Sequence, residues 1–277
     1  MTLSSRNYLF RAGIVVSVLT ISVIVGTSFV ILPLYPALLP MAARRSTDVV
    51  RFLVGNAAGS APYIPFITMS AACFYAFITM IFIYYYFEKT QAPEILFFAL
   101  FALSLTVEAS RIMVPLRMAY ELPTAFLVMA SRGLLFGRFF GVFSLFAASL
   151  YAAGLEMRKQ GNILLIIALL TLILAIGVPI DGMSWDSTLS MIYGYSSMFR
   201  LVETGLVLIT TITFFVSAYS RGSGEYVFIG IGVFLVYIGR NMLLGADTWI
   251  APIPGMAILI AGTWFICSRL HRVYLWL

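Results

Sequence analysis

The stretch SRGLLFGRFFGVFSLF, Ser131 to Phe146, carries two arginines, Arg132 and Arg138, inside an otherwise apolar run. Arginine at the depth of a bilayer is expensive, so what surrounds this run decides the fold. Of the 277 residues 62% are hydrophobic and only 10% are charged, with a mean hydropathy of +1.02. Soluble domains carry roughly 25% charged residues, so this chain cannot cover a water-facing surface. The expected fold class is all-α, a polytopic transmembrane helix bundle.

A spanning helix needs roughly 20 apolar residues. Eight segments qualify: 10–38, 63–87, 94–115, 124–155, 161–181, 198–219, 225–246 and 250–273. The chain reads as one integral membrane domain over 1–277, an anchor helix at 10–38 leading a core bundle over 63–273. Arg6 and Arg11 precede the first run as they would in a secretory signal. The run exceeds the ~7–15 residues of a signal core and no clear A-x-A site follows it, so it reads as a retained anchor. The longest inter-helix segment, about 39–62, is too short for a soluble domain, and the VYLWL tail after Arg272 is too short for an output domain.

Basic residues in loops favour the cytoplasmic side. With the N-terminus inside, the inner segments hold Arg6, Arg11, Lys89, Arg158, Lys159, Arg221, Arg269 and Arg272, against Arg44, Arg45, Arg51 and Arg117 outside. The expectation is therefore an inner (cytoplasmic) membrane protein with both termini cytoplasmic. RRSTDVVR (Arg44–Arg51) dissents, and a short interfacial helix would accommodate it. Tyr84 to Tyr86 and Trp276 read as inner aromatic anchors, Trp185 and Trp249 as outer ones.

At 1.5 Å per residue the remaining charges fall in the outer half or at the midplane. Glu108 and Arg111 lie about 21 and 26 Å from the inner boundary, Arg132 about 12 Å below the outer one, and Arg138 near the centre. Arg200 and Glu203 open the sixth span, and Arg240 and Asn241 end the seventh. Glu108–Arg111 and Arg200–Glu203 are i,i+3 pairs that can partly neutralise themselves. Arg132 and Arg138 sit roughly 120° apart, so both point inward only if the fourth helix is central. Gly133, Gly137, Gly141, Ala147, Ala148 and Gly154 give it surfaces that neighbours can approach closely.

Arg111, Arg132, Arg138, Arg200 and Arg240 outnumber Glu108 and Glu203 by three, or by two with Asp247 at the mouth. Guanidinium forks suit carboxylate and phosphate. These residues, with Asn241, are the candidate ligand-binding set, converging on an outward-open cavity for an anionic small molecule or lipid headgroup. The competing reading is that the i,i+3 pairs are packing ion pairs while Arg132 and Arg200 snorkel to the surface.

Absences narrow the chemistry. His271 is the single histidine, which excludes bis-histidine haem, H-E-x-x-H zinc sites and a Ser-His-Asp triad. No lysine lies within a helix to form a retinal Schiff base, and no G-x-x-x-x-G-K-[ST] loop is present. Catalysis is unsupported and no cofactor or metal is implied. Cys73 and Cys267, without C-x-x-C spacing, read as core packing. The pI near 9.4 points to topology and anionic lipid, not to nucleic acid.

Two functions fit: a carrier whose substrate meets the arginines, or a seven-helix-like receptor or structural subunit acting through a separate partner protein. Gly177 and Pro179 offer a helix break, and the recurrence of an acidic–basic pair followed by Gly-Arg (Gly137–Arg138, Gly239–Arg240) hints at inverted repeats, both transporter traits. The topology is open to direct test. Reporter fusions after Thr90, Arg158 and Gly222 should behave as cytoplasmic, and those after Met118, Ser187 and Thr248 as external; a cytoplasmic Ser187 fusion would overturn the orientation.

Overall fold

The computed structural model describes residues 3–31, 63–90, 92–156, 159–246, 248 and 250–275, with Met183 and Leu275 as backbone alone. Eight helices among them are long and apolar enough to cross a membrane. They are α1 (Leu3–Ile31), α2 (Ile64–Phe87), α3 (Pro93–Tyr120), α4 (Thr124–Ala152), α5 (Gln160–Gly177), α6 (Ser196–Arg221), α7 (Glu225–Leu244) and α8 (Pro252–Leu275). The chain is thus an all-α, multi-pass membrane bundle. Between α5 and α6 lies a two-stranded antiparallel hairpin, β1 (Ile180–Trp185) and β2 (Met191–Tyr193). Arg44, Arg45, Arg51, Asp247, Trp249, Arg158 and Trp276 fall outside the described residues.

Side-chain contacts fix the alternation of the helices. At one end Arg6 donates to the carbonyls of Phe87 (2.7 Å) and Glu88 (3.0 Å), which the end of α2 leaves without helical partners. At that same end Tyr274 donates to Glu94 (2.6 Å) and Arg269 pairs with Glu225 (3.0 Å), joining α8 to the starts of α3 and α7. The beginning of α1 and the end of α8 therefore share the termini end of the bundle, and the hairpin lies at the other. Compared with the spans read from hydropathy, α1 begins seven residues earlier, at Leu3, because polar residues are tolerated in a first turn. α5 stops at Gly177 because the residue before Pro179 is pushed out of the helical region; Val178 has ψ 126°.

Packing is tightest where glycine removes a side chain. A Cβ on Gly137 would sit 2.8 Å from that of Val107, and one on Gly141 would strike the Ser104 hydroxyl, so α4 lies directly on the middle of α3. α4 also packs on α5 and α6, the central position its sequence implied. Between α7 and α8 the backbones themselves meet: a Cβ on Gly239 would lie 2.8 Å from the carbonyl oxygen of Gly255, and one on Gly262 2.7 Å from that of Gly232. The termini half is filled by a dense apolar core around Phe97, Phe98, Phe101 and Tyr151. Exposed apolar side chains cluster on α1, α5 and α6, as a lipid-facing surface requires.

Gly239→Leu should therefore wedge α7 from α8 and lower stability by about 1–3 kcal/mol or more, the usual cost of overpacking. Gly133→Leu, in open space on α4, should be tolerated. Equal melting temperatures for the two variants would contradict the backbone contact.

Candidate functional site

The polar centre begins with the winding of α3. Residues Leu105–Ile112 form a 3₁₀ segment inside the α-helix. With three residues per turn, side chains at i and i+3 eclipse, so Arg111 stands directly over Glu108. The Arg111 guanidinium pairs with the Glu108 carboxylate, and both side chains are almost completely buried. Ser104 and Thr106 turn their hydroxyls back onto the carbonyls of Phe101 and Leu103, easing the change of pitch.

Arg138 reaches the same carboxylate from α4. Its Nε donates to Glu108 Oε1 at 2.9 Å and its Nη2 to Oε2 at 3.1 Å, a bidentate fork. The bare surface of Gly137 and Gly141 brings α4 close enough for this. Arg111 extends the other way: its Nη1 donates to the carbonyl of Leu244 at 3.1 Å and to that of Thr188 at 3.4 Å. The first is the end of α7, where unpaired carbonyls and the helix dipole favour a cation. A second interhelical pair joins Arg240 on α7 to Glu203 on α6, with Thr204 and Tyr237 sharing a hydrogen bond of 3.1 Å beside it. Arg240 acts electrostatically on Glu108, and Glu203 on Arg138, so the two pairs form one cluster.

The hairpin closes this cluster from above. Pro179 and Gly194 tie its neck (2.9 Å), and Arg117 donates to the carbonyl of Gly182 at 3.0 Å. Six residues deeper along α3, Arg111 meets Thr188, so the hairpin dips into the bundle. Its tip turns at Asp186–Leu189, with Leu189 held at a left-handed φ of 59° and buried. Ser190 Oγ then accepts from Arg138 Nη2 at 3.2 Å. Trp185, read as an outer aromatic anchor, is partly buried and packs on the cluster that seats the hairpin.

Beside the hairpin a narrow cleft of about 10 Å³, room for roughly one water, leads to Arg138. Its polar wall is Ser131, Ser190 and Tyr193; its apolar wall is Leu134, Leu135, Ile180 and Met191. Of the cluster's arginines Arg138 is the most accessible, its side chain 21% exposed, whereas Arg111 and Arg240 are buried.

The eight candidate residues thus divide. Glu108, Arg111, Arg138, Glu203 and Arg240 come together. Arg132, Arg200 and Asn241 are exposed and stand outside the cluster. Arg200 does not pair with Glu203, because the buried Arg240 on the neighbouring helix takes that carboxylate. Arg132 faces away because α4 is crossed by its neighbours lower down, at Gly137 and Gly141, while space beside Gly133 stays open. Asn241 lies one residue, or about 100°, around α7 from Arg240. The surplus of positive charge accordingly falls from three to one, and the outward-open cavity is reduced to a cleft by the hairpin. Sequence reasoning missed Thr188 and Ser190, which a loop without basic residues gave no reason to single out; the break at Pro179 followed by the Asp-Ser-Thr turn was the available signal.

Comparison with protein-family models, with curated proteins and with solved structures found no match.

The fork makes a direct prediction. Arg138→Leu removes both hydrogen bonds of the fork while Arg111 still meets the Glu108 charge, so it should destabilise the protein by about 1–3 kcal/mol. Adding Glu108→Gln strands the buried Arg111, so the double variant should be less stable again, but by less than the sum of the two single losses. Additive losses in the double variant, measured by thermal unfolding, would show that the two side chains are not coupled.

Proposed function

We propose that this protein is a carrier-type membrane protein that takes an anionic group onto Arg138 through the cleft beside the hairpin. The observation that supports it is a charge imbalance in a largely buried network whose cleft-lining cation is Arg138. Arg111, Arg138 and Arg240 face Glu108 and Glu203, and Arg138 alone opens to a cleft. An unbalanced cation in a low-dielectric site attracts an anion strongly, and Arg111 Nε, buried without an acceptor among the described residues, adds to that demand. The transport reading draws on α3, whose helix changes pitch where its charges lie; discontinuous helices with charged midplane sites are a transporter trait. On the basic-residue count the hairpin end faces away from the cytoplasm and the termini lie inside, in a cytoplasmic membrane.

The alternative, a receptor or structural subunit working through a partner protein, is favoured by the dense apolar packing of the termini half. Two measurements separate them. Purified protein titrated with sodium acetate, phosphate and sulfate at matched ionic strength should gain thermal stability, and Arg138→Lys should weaken the response at least tenfold, because lysine keeps the charge but lacks the planar fork. The anion with the largest effect should then exchange across proteoliposomes. Binding without exchange selects the receptor; no stabilisation by any of these anions or by an anionic lipid overturns the anion reading.

A further inference from the structure

We infer that Glu94, at the termini end of α3, is a proton-binding site: it carries a proton in the packed bundle and exchanges it with water at that end through Tyr274. The site is independent of the Arg138 cluster, because Glu94 lies about 21 Å along α3 from Glu108.

The two carboxyls are equally hidden, Glu94 at 2% exposure and Glu108 at 1%, but their surroundings differ in kind. Glu108 is met by two guanidinium groups. None of the ion pairs among the described residues includes Glu94. It accepts instead from the Tyr274 hydroxyl at 2.6 Å and from its own backbone N–H. A buried carboxylate without a cation is far costlier than a buried carboxylic acid, so such a group takes up a proton and gives up its charge. The start of α3 does offer a helix dipole that favours an anion. That contribution is small beside the lost hydration of a fully buried charge.

The charges nearby are committed elsewhere. Arg221, at the end of α6, acts on Glu94 electrostatically, but it is exposed and donates to the Tyr226 hydroxyl at 3.0 Å and the Tyr151 carbonyl at 3.4 Å. On α8, Arg269 and Arg272 pair with Glu225 of α7, and His271 lies against the rings of Tyr86 and Phe87. On α1, Arg6 is held by the carbonyls of Phe87 and Glu88, while the side chains of Glu88 and Lys89 beyond α2 are exposed. α4 presents Tyr151, stacked on Phe97 one turn along α3 from Glu94. Phenols therefore surround this carboxyl where guanidinium groups surround Glu108; Tyr226 and Tyr274 both interact with it electrostatically.

That difference suits proton exchange. A guanidinium has donors only and serves a carboxylate alone, whereas a phenol donates to the carboxylate and accepts from the acid. The Tyr274 contact is thus kept when the proton arrives and when it leaves. Tyr274 is only partly buried, on the last turn of α8, so its side chain links the buried carboxyl to the surface. For a carrier, a proton loaded at the termini end is a coupling ion; the proposal requires only that it loads.

The test is infrared difference spectroscopy of the full chain in uncharged detergent. At pH 7 the wild type should show the carbonyl stretch of a protonated carboxylic acid, shifted in deuterium oxide and absent from Glu94→Gln. Raising the pH should exchange that band for a carboxylate band in the wild type alone. Tyr274→Phe keeps the acid and removes its hydroxyl partner. In that variant the band should move to higher frequency, and its deuterium exchange should slow at least about tenfold, as loss of a positioned proton-transfer partner requires. The same shift identifies the band as Glu94 where Glu94→Gln does not fold. Arg221→Gln should leave the band in place. A wild type without the band, or one in which it appears only after Arg221→Gln, would make Glu94 an ionised partner of Arg221 and overturn the proposal. A band indifferent to Glu94→Gln and Tyr274→Phe belongs to another carboxyl and overturns it equally, and wild-type exchange in Tyr274→Phe overturns the route through Tyr274.

Discussion

A carboxylate cannot stand alone in the interior of a membrane bundle, and Glu108 is placed where no water reaches it. Its charge has to be met by cations brought from elsewhere in the chain, and the upper half of the structure follows from meeting it. Arg111 comes from the same helix, which requires the 3₁₀ pitch of Leu105–Ile112 to stack the two side chains. Arg138 comes from α4, which requires that helix to lie against α3 without side chains between them, hence Gly137 and Gly141. Each arginine then has donors left over, and these recruit the end of α7 through Leu244 and the hairpin through Thr188 and Ser190. One buried charge in this way organises four segments of the chain.

The glycines and the charges are therefore not separate features. In α4 Gly137 precedes Arg138, and in α7 Gly239 precedes Arg240. In both places the glycine lets the backbone press against one neighbour, α3 or α8, while the arginine, about 100° further round, reaches a glutamate on an adjacent helix. For Arg138 the neighbour and the glutamate belong to the same helix; for Arg240 they belong to different ones, since Glu203 is on α6. The recurrence of Gly-Arg thus reports a shared way of seating an arginine among closely packed helices. It supplies no symmetry by itself, because the partners are arranged differently.

The fold was legible because hydropathy is enough to recognise eight apolar runs, and the five clustered charges were legible because nothing else explains ions at such depth. What composition could not decide was direction. Arg132 and Arg200 have the same chemistry and nearly the same apolar surroundings in sequence as Arg138 and Arg240, yet they face outward. The difference lies in which neighbour crosses at that level, a tertiary fact. The i,i+3 rule placed Arg111 correctly on Glu108 but misassigned Glu203, since a buried partner on another helix outcompetes an exposed one on its own. The hairpin was the largest omission. Its residues are mixed and short, so they read as a connecting loop, and only the carbonyls and hydroxyl it presents to Arg111 and Arg138 give it a reason to fold inward.

That inward fold explains why Arg138 is the chemically interesting member of the cluster. A network that only held helices together would gain from complete burial and complete pairing; in the second pair Arg240 is buried, but Glu203 is 18% exposed. The Glu108 centre departs from this in two ways: it carries one cation more than its carboxylates balance, and its lid leaves one guanidinium partly open beside an apolar wall. The lid is held to that guanidinium by a single neutral hydroxyl, Ser190, at 3.2 Å. A charged acceptor binds an arginine roughly twice as strongly as a neutral one. Of the contacts to Arg138 the one from the hairpin is therefore the weakest and the Glu108 fork the strongest. The hairpin is thus seated mainly by the carbonyls it presents to Arg111 and Arg117 and by the apolar cluster beneath it, with Ser190 adding the last link to the Glu108 centre.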